Sequence, residues 1–585
     1  MTFTMKENLS EEQKQILSPF VSSTENNVFV LKNLPEVVMG ALFSRYSRSP
    51  KSLRQLLLDE FILDEKYGFE QIVGYQKGKG IEQALAIKKA EEFYDRILLG
   101  YGDDSVAELG GAHIAVEDIS NIAVKLVQDS RLGISPLEKS TRYVYFDEKD
   151  EKGNYNYLRP KEITESNFSE DYTDLCSELF NVYSKNLEPM KKFIEEKNPQ
   201  EKDVSDRAYN STVKAKACDV LRVFLPASTL TNTGLYGNGR AFEYLISRLS
   251  SYPLHETKVI GKKIHSQLQT YIPSFVKRAF SEYGEQQINF LSDTREKVNN
   301  LTKEILAEEQ IKELKEKSEE KESNEILKEE KNKTEKAEQK PIELTKKEVS
   351  ENSDEVQLID FDSEAENKIL SAIIYSNSHL PLQQIKEKIK NLNEEEKKKI
   401  INSYSDLRTN RRHKPGRAFE NAFYTFDILG NYGIFRDLHR HRILTQERQL
   451  LSTHHGFVSP IEFDSIGIKE EYISLMKQAK NLFDLMEEKM PWQAQYCVPF
   501  GYKIRWYMKL NLREAFHLTE LRSSVQGHPD YRRIAQKMFS EIKKVHPSLV
   551  EQLKFVDLKE YKLERLEAEK AQDKKIKEIE EKYNK

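Results

Sequence analysis

Cysteine is scarce in this chain: Cys176, Cys218 and Cys497 are the only three in 585 residues, and no two of them form a CxxC pair. Such spacing supports neither a disulfide framework nor a cysteine zinc site. Long apolar runs are also missing. No stretch approaches the roughly 18 residues of a membrane span, and the opening MTFTMKENLSEEQKQ is polar and acidic, unlike a secretory leader. There is no P-loop and no GxGxxG following a strand, which excludes the usual phosphate-cradling loops. A net charge of −5 with a pI near 6.3 gives no general attraction to nucleic acid or an anionic membrane. An anionic ligand must therefore be held by a local cluster of arginines. These absences lead us to expect a cytoplasmic protein that acts on a small molecule, with no membrane and no nucleic-acid partner.

Apolar residues themselves are not lacking. Hydrophobic side chains make up 38% of the sequence, with 28 Tyr and 28 Phe, enough for substantial cores. The mean hydropathy of −0.69 nevertheless requires that much of the chain be solvated. Composition locates that part. The stretch containing KEILAEEQIKELKEKSEEKESNEILKEEKNKTEKAEQK is dominated by Lys and Glu and is too poor in apolar residues to bury a face. It reads as a solvated helix or an unstructured tether. A second such stretch, EYKLERLEAEKAQDKKIKEIEEKYNK, closes the chain. Length alone calls for more than one core. The expected division is a first block over residues 28–290, a linker over 291–357, a second block over 358–557 and a charged helical tail over 558–585.

The two blocks repeat the same order of short motifs. The first contains DDSVAELGGAHIAVEDISNIAVKLVQDSRLGIS and the second PGRAFENAFYTFDILGNYGIFRDLHRHRILT; Glu108 and Glu420 each open a segment that ends in Arg. In the second block Ala422, Tyr424, Phe426 and Ile428 alternate, a strand signal that Gly430 is expected to break before Ile434 and Leu438 recur at helical spacing. Further on, NGRAFEYLISR (Asn238 to Arg248) matches NLREAFHLTELR (Asn511 to Arg522), with one extra residue before the second Ala-Phe pair. We therefore expect two diverged copies of one mixed α/β unit.

Arg440-His441-Arg442 is the most specific cluster. A solvated helix end could carry three such side chains, but here they follow a strand and an apolar helix, where their forks could meet a phosphate bidentately. Asp437, His439 and His441 invite a metal reading. Residues two apart do not share a helix face and no thiol is near, so no metal is expected.

These motifs resemble the flavin-dependent thymidylate synthases, whose members carry RHRxxSxNExSxRY, an upstream HxSVxEH and a downstream NxRxxxHFxxxR helix. The signature is divided between the copies. The second has RHRILT, with Thr445 for the first serine, and keeps Asn511, Arg513, His517 and Arg522 at the family spacing. The first has ISPLEKSTRYVYF, where Ser135, Glu138, Ser140, Arg142 and Tyr143 fit SxxExSxRY; it also has Ser105, Val106 and Glu108 on SVxE, and Arg222 four residues before Pro226 as in ARxVLP. Asp129-Ser130-Arg131 stands where the first copy should have RHR, and Gln495 where the second should have the Arg before its proline.

The resemblance implies two thymidylate-synthase-like folds joined by a charged linker. It implies FAD on Arg440, His441, Arg442, Asn511, Arg513 and His517, with Ser105 and Glu138, and dUMP on Glu138, Ser140, Arg142, Arg222 and Arg522. Ser140 and Arg522 are the implied catalytic residues, Arg522 facing the pyrimidine. The implied reaction methylates dUMP to dTMP, with methylenetetrahydrofolate and NADPH as co-substrates. None of the three cysteines has an activating setting for the cysteine-dependent route. Two further readings stand beside it: a degenerate flavin- or nucleotide-binding protein, and folate-dependent methylation of another uridine substrate. Because the family builds its sites in a tetramer of single units, two chains of two units each are expected to form a homodimer.

Overall fold

The computed structural model describes residues 9–63, 106–331 and 355–583. In the first copy β1 (Gly111–Ser120) leads into α1 (Asn121–Gln128), β2 (Ile134–Glu138), α2 (Ser169–Lys185), α3 (Asp206–Leu221), β3 (Leu230–Asn238) and α4 (Gly239–Ser251), and the 50-residue α5 (Glu282–Lys331) follows. In the second copy β4 (Val356–Phe361) precedes β5 (Phe423–Asn431), α6 (Tyr432–Leu438), β6 (Leu444–Arg448), α7 (Lys469–Glu487), β7 (Lys503–Asn511) and α8 (Leu512–Arg522). Helices α9 (Pro529–Val545) and α10 (Leu566–Tyr583) come last. The strands form two antiparallel sheets, in the orders β1-β3-β2 and β4-β5-β7-β6. Because β1, β3 and β2 correspond to β5, β7 and β6, the two sheets share one topology, and among the described residues β4 lies at an edge of the second. The fold is the expected pair of mixed helix–sheet copies, in its antiparallel α+β form.

The repeat reaches individual hydrogen bonds. Ser120 caps α1 by accepting from the Ala123 amide, and Asn431 caps α6 from that of Ile434. Asn238 and Asn511 cap α4 and α8 in the same way, satisfying amides that a helix start leaves unpaired. Tyr172 donates to the Leu158 carbonyl and Tyr472 to that of Val458, both at 2.7 Å. Arg240 meets Glu108, and Arg513 meets Glu420, each at 2.8 Å.

Two expectations need correction. Gly430 does not break β5, which runs on to Asn431. A Cβ at Gly430 would meet Ile434 and Trp506 at 3.0 and 3.2 Å, so the glycine serves close packing within the strand, and the change to helix waits for the Asn431 cap. The tail, expected to be solvated, packs on α3. Arg207 bonds Glu569 at 3.2 Å and also Asp573, Lys216 reaches Glu564 at 2.7 Å, and Glu564 and Glu569 are buried. Composition cannot distinguish a solvated charged helix from one whose charges meet complementary partners along a single face.

By their contacts the residues group into two compact units whose limits cut across the repeat. One comprises residues up to Ile114, Leu132–Pro136 and Leu235–Glu351; the other comprises Ala115–Arg131, Leu137–Gly234 and Asn352–Lys585. Within the second unit, parts of both copies meet about a local two-fold axis. Ala227 donates to the Val498 carbonyl and Phe500 to that of Leu225, both at 2.9 Å; Ser228 donates to Tyr496 and Gly501 to Val223, both at 3.1 Å. Each bond has its symmetry mate, as a self-complementary contact between equivalent segments requires.

Candidate functional site

Helix α6 ends at Leu438, and Arg440, His441 and Arg442 occupy the loop that leads to β6. Helix α8 starts from its Asn511 cap and carries Arg513, Glu514, His517 and Arg522 beside that loop. Together, within the second unit, they line a cleft of about 320 Å³, near the small end of ligand pockets, which run from roughly 300 to 1,000 Å³. Arg408, Arg411 and Lys414 complete a wall of seven Arg and Lys side chains against three Glu: Glu420, Glu514 and Glu520. Arg408 clamps Glu520 at 3.0 and 2.6 Å, and Arg513 is matched by Glu420. Arg411, Lys414, Arg440 and Arg442 stand exposed along the same wall.

The floor of the cleft is a chain of hydrogen bonds. The Glu514 carboxylate lies 2.7 Å from Nδ1 of His441, and Nε2 of His441 lies 3.0 Å from Nε of Arg522. An arginine only donates, so Nε2 accepts, the His441 proton is on Nδ1, and it is given to Glu514. Burial pushes the Glu514 carboxyl up to about 7 against the pull of Lys414, Arg513 and Arg522. Burial, then the charge of Arg522, holds His441 well below the usual imidazole range, so it stays neutral. His441, Glu514 and His517 bring possible donor atoms within 4.8 Å of one another. Both His441 nitrogens are already engaged, however, and the surrounding charge is positive, so the cluster suits an anion rather than a metal ion.

Behind the cleft, residues of the first copy join a buried network with α6. Glu138 accepts from Lys125 at 2.6 Å and from Arg436; Arg142 forks onto Asp219 at 2.7 and 2.6 Å and reaches the Tyr531 hydroxyl at 3.1 Å. The Ser140 hydroxyl accepts from the Arg142 amide at 3.2 Å as part of the turn after β2. Arg222 lies 3.7 Å from Asp437, and one of its terminal nitrogens is buried without a partner. Burial alone would raise Asp437, but the charges of Arg222, Arg440, Arg142 and Arg522 bring it down to about 2. Arg222 also lines a larger cavity of about 580 Å³ with Lys216, Asp219, Asn431, His528 and Arg532.

The cleft thus brings together Arg440, His441, Arg442, Asn511, Arg513, His517 and Arg522. Glu138 and Arg142 are committed to internal ion pairs, and Ser105 lies outside the described residues. Sequence reasoning missed Glu514, Asp219, Lys125 and Arg436. The signal for Glu514 was the extra residue ahead of the second Ala-Phe pair; the others carry none.

The pattern of one family, thymidylate synthase complementing protein, matches this chain twice, over residues 67–274 and 357–548. The chain belongs to that family. Among family relatives, a UPF0159 protein of Chlamydia pneumoniae is 38% identical over 572 residues, spanning 96% of this chain and 98% of its own. A UPF0159 protein of Thermoplasma acidophilum is 34% identical over 556 residues, 91% and 97% of the two chains. A flavin-dependent thymidylate synthase of Sulfurisphaera tokodaii is 29% identical over 144 residues, which is 23% of this chain and 54% of that protein. Among solved structures, a UMP/dUMP methylase of Streptomyces cacaoi aligns over 34% of this chain and 93% of its own at 16% identity, with a TM-score of 0.28. Among the described residues no helix is long and apolar enough to cross a membrane.

Proposed function

We propose that this family member is a flavin-dependent methylase that converts dUMP to dTMP, taking its carbon from methylenetetrahydrofolate and its reducing power from NADPH. The observation that carries the reading is the cleft in which the RHR loop meets the Asn511–Arg522 segment. Its donor set fits a dianionic dinucleotide: exposed Arg440 and Arg442 beside Arg513 offer planar forks for phosphate oxygens, and Asn511 and His517 offer neutral contacts. FAD held there would supply the redox chemistry and relay the one-carbon unit.

The remaining tasks fall to the chain's own residues. Arg522 joins the cleft to the buried network, since it lines the first and its charge acts on Asp437 in the second. It is the residue we assign to the pyrimidine. The unpartnered nitrogen of Arg222 is the donor we assign to the nucleotide phosphate. Arg142 and Glu138 then serve that site by bracing it, with Ser140 at the turn between them.

The visible spectrum of the purified protein tests this. It should be yellow, dUMP should perturb the flavin bands, and Arg442→Ala should weaken flavin binding on the order of tenfold to a hundredfold, as loss of a charged hydrogen bond does. A colourless protein that takes up no added FAD ends the proposal. Asp129 stands where a second RHR cleft would need its first arginine, so we assign one flavin to each chain and two to a homodimer. Flavin-to-protein ratio and sedimentation check those numbers.

A further inference from the structure

Glu514 occupies an unspecified position of the NxRxxxHFxxxR pattern, yet it is buried at the floor of the cleft with its carboxylate on His441. We infer that Glu514 is a positioning residue: it fixes His441 in the Nδ1-protonated tautomer, so that Nε2 is presented as the acceptor that holds the Arg522 guanidinium toward the cleft. Three features carry this. The two contacts, 2.7 and 3.0 Å, lie on opposite nitrogens of one ring, so the state of one dictates the role of the other. The ring has little freedom to turn: His441 is 3% exposed, its carbonyl accepts from Arg131 at 2.7 Å, and His517 packs edge-on with centroids 5.3 Å apart. Finally, Glu514 leaves the Arg513–Glu420 pair alone, so its carboxylate serves the histidine and not the neighbouring arginine.

A consequence for ligand binding follows. Glu514 faces Arg513, His517 and Arg522 on its own helix, Lys414 from the segment before β5, and His441 from the loop before β6. Burial brings its titration close to neutrality. Ionised Glu514 adds negative charge to the floor, and a bound anion favours the protonated form. Anion affinity therefore weakens as the pH rises through about 7.

The assignment rests on the nucleotide reading for what the cleft holds, but not for the geometry, and two measurements keep them apart. In the ligand-free full chain, nitrogen spectra of labelled histidine report the His441 tautomer. The wild type and Glu514→Gln, whose amide oxygen still accepts, should show a protonated Nδ1; Glu514→Ala should lose that preference. Calorimetry with dUMP on the flavin-loaded protein should then show affinity falling with rising pH in the wild type and a flat profile in Glu514→Gln. Glu514→Ala should bind dUMP about tenfold more weakly, with Glu514→Gln restoring most of the loss at alkaline pH. An unchanged His441 tautomer in Glu514→Ala, or the same pH dependence in Glu514→Gln as in the wild type, overturns the assignment. A protein that binds neither FAD nor dUMP sinks the nucleotide reading, while the histidine spectrum still decides the positioning role.

Discussion

Glu138 shows how a motif residue can be kept for a different task. Its carboxylate takes Lys125 at 2.6 Å, Gln128 at 3.0 Å and Arg436, and all four side chains are buried. Burial would raise its carboxyl, but Arg436 and Lys125 hold it far below the usual range, so it stays charged. Burial also pushes Lys125 down to about 7 against the pull of Glu138, so this lysine is close to losing its proton at neutral pH. The two residues are therefore unequal. Glu138→Gln leaves the buried Arg436 guanidinium without its counter-charge, which costs about 3–5 kcal/mol. Lys125→Met keeps the volume and leaves Glu138 with Arg436, so the loss should be under ~1 kcal/mol. Urea midpoints at unchanged slope measure both; equal losses would show that Arg436 does not carry the pair.

Among the elements, α9 has the least ordinary start. His528 caps it, with Nδ1 accepting from the Asp530 amide at 3.2 Å and Nε2 turned to the Asp219 carbonyl at 3.4 Å. A protonated ring cannot accept, so the cap exists only in neutral His528. Burial, then Arg222, pushes this imidazole down to about 4. The folded value lies below the unfolded value of about 6.5, so the stability it contributes is present above pH ~6.5 and lost as the pH falls toward 4, at most ~1.4 kcal/mol per unit. Asn caps without titrating, so His528→Asn should flatten the acid limb of a melting-temperature profile. An unchanged limb would assign the loss to other groups, among them His439, which burial also pushes down to about 4. Nothing in the spacing of GHPDYRR marks His528 as a cap. Asn238 and Asn511, by contrast, stand out in the sequence as a matched pair, and each caps its helix. Legibility at the site divides in the same way. The RHR loop and the Asn511 helix are contiguous motifs that one cleft gathers up, whereas Asp219, Arg436 and Lys125 meet their partners only through folding, from positions that read as ordinary helix residues.

For the molecule as a whole, the pairing of the two copies is written in charge. Asp129 and Arg440 each stand nine residues after their helix caps, Ser120 and Asn431, and Glu138 and Arg448 each end the strand that follows. Equivalent positions thus carry opposite signs. Arg448 of the second copy meets Asp129 of the first at 2.8 and 3.0 Å, while Glu138 of the first meets Arg436 of the second. Two second copies paired with each other would set Arg448 against Arg440, a like-charge contact. The unlike pairing found within one chain has no such conflict, so the charge swap selects it. Reversing one side should break this and reversing both should mend it. Arg448→Glu should lower stability by more than ~2 kcal/mol, because Asp129 would then face a carboxylate inside a partly buried pair. Asp129→Arg combined with Arg448→Glu should recover part of the loss, with a coupling energy of ~1–3 kcal/mol in the double-mutant cycle. Recovery stops short of complete because Asp129 also receives Nε2 of His439 at 2.6 Å, a bond that arginine cannot replace. Strictly additive losses would show that the two side chains sit together without recognising each other, and the register of the copies would then rest on the Glu138–Arg436 pair and the Val223–Ser228 and Tyr496–Gly501 backbone exchange.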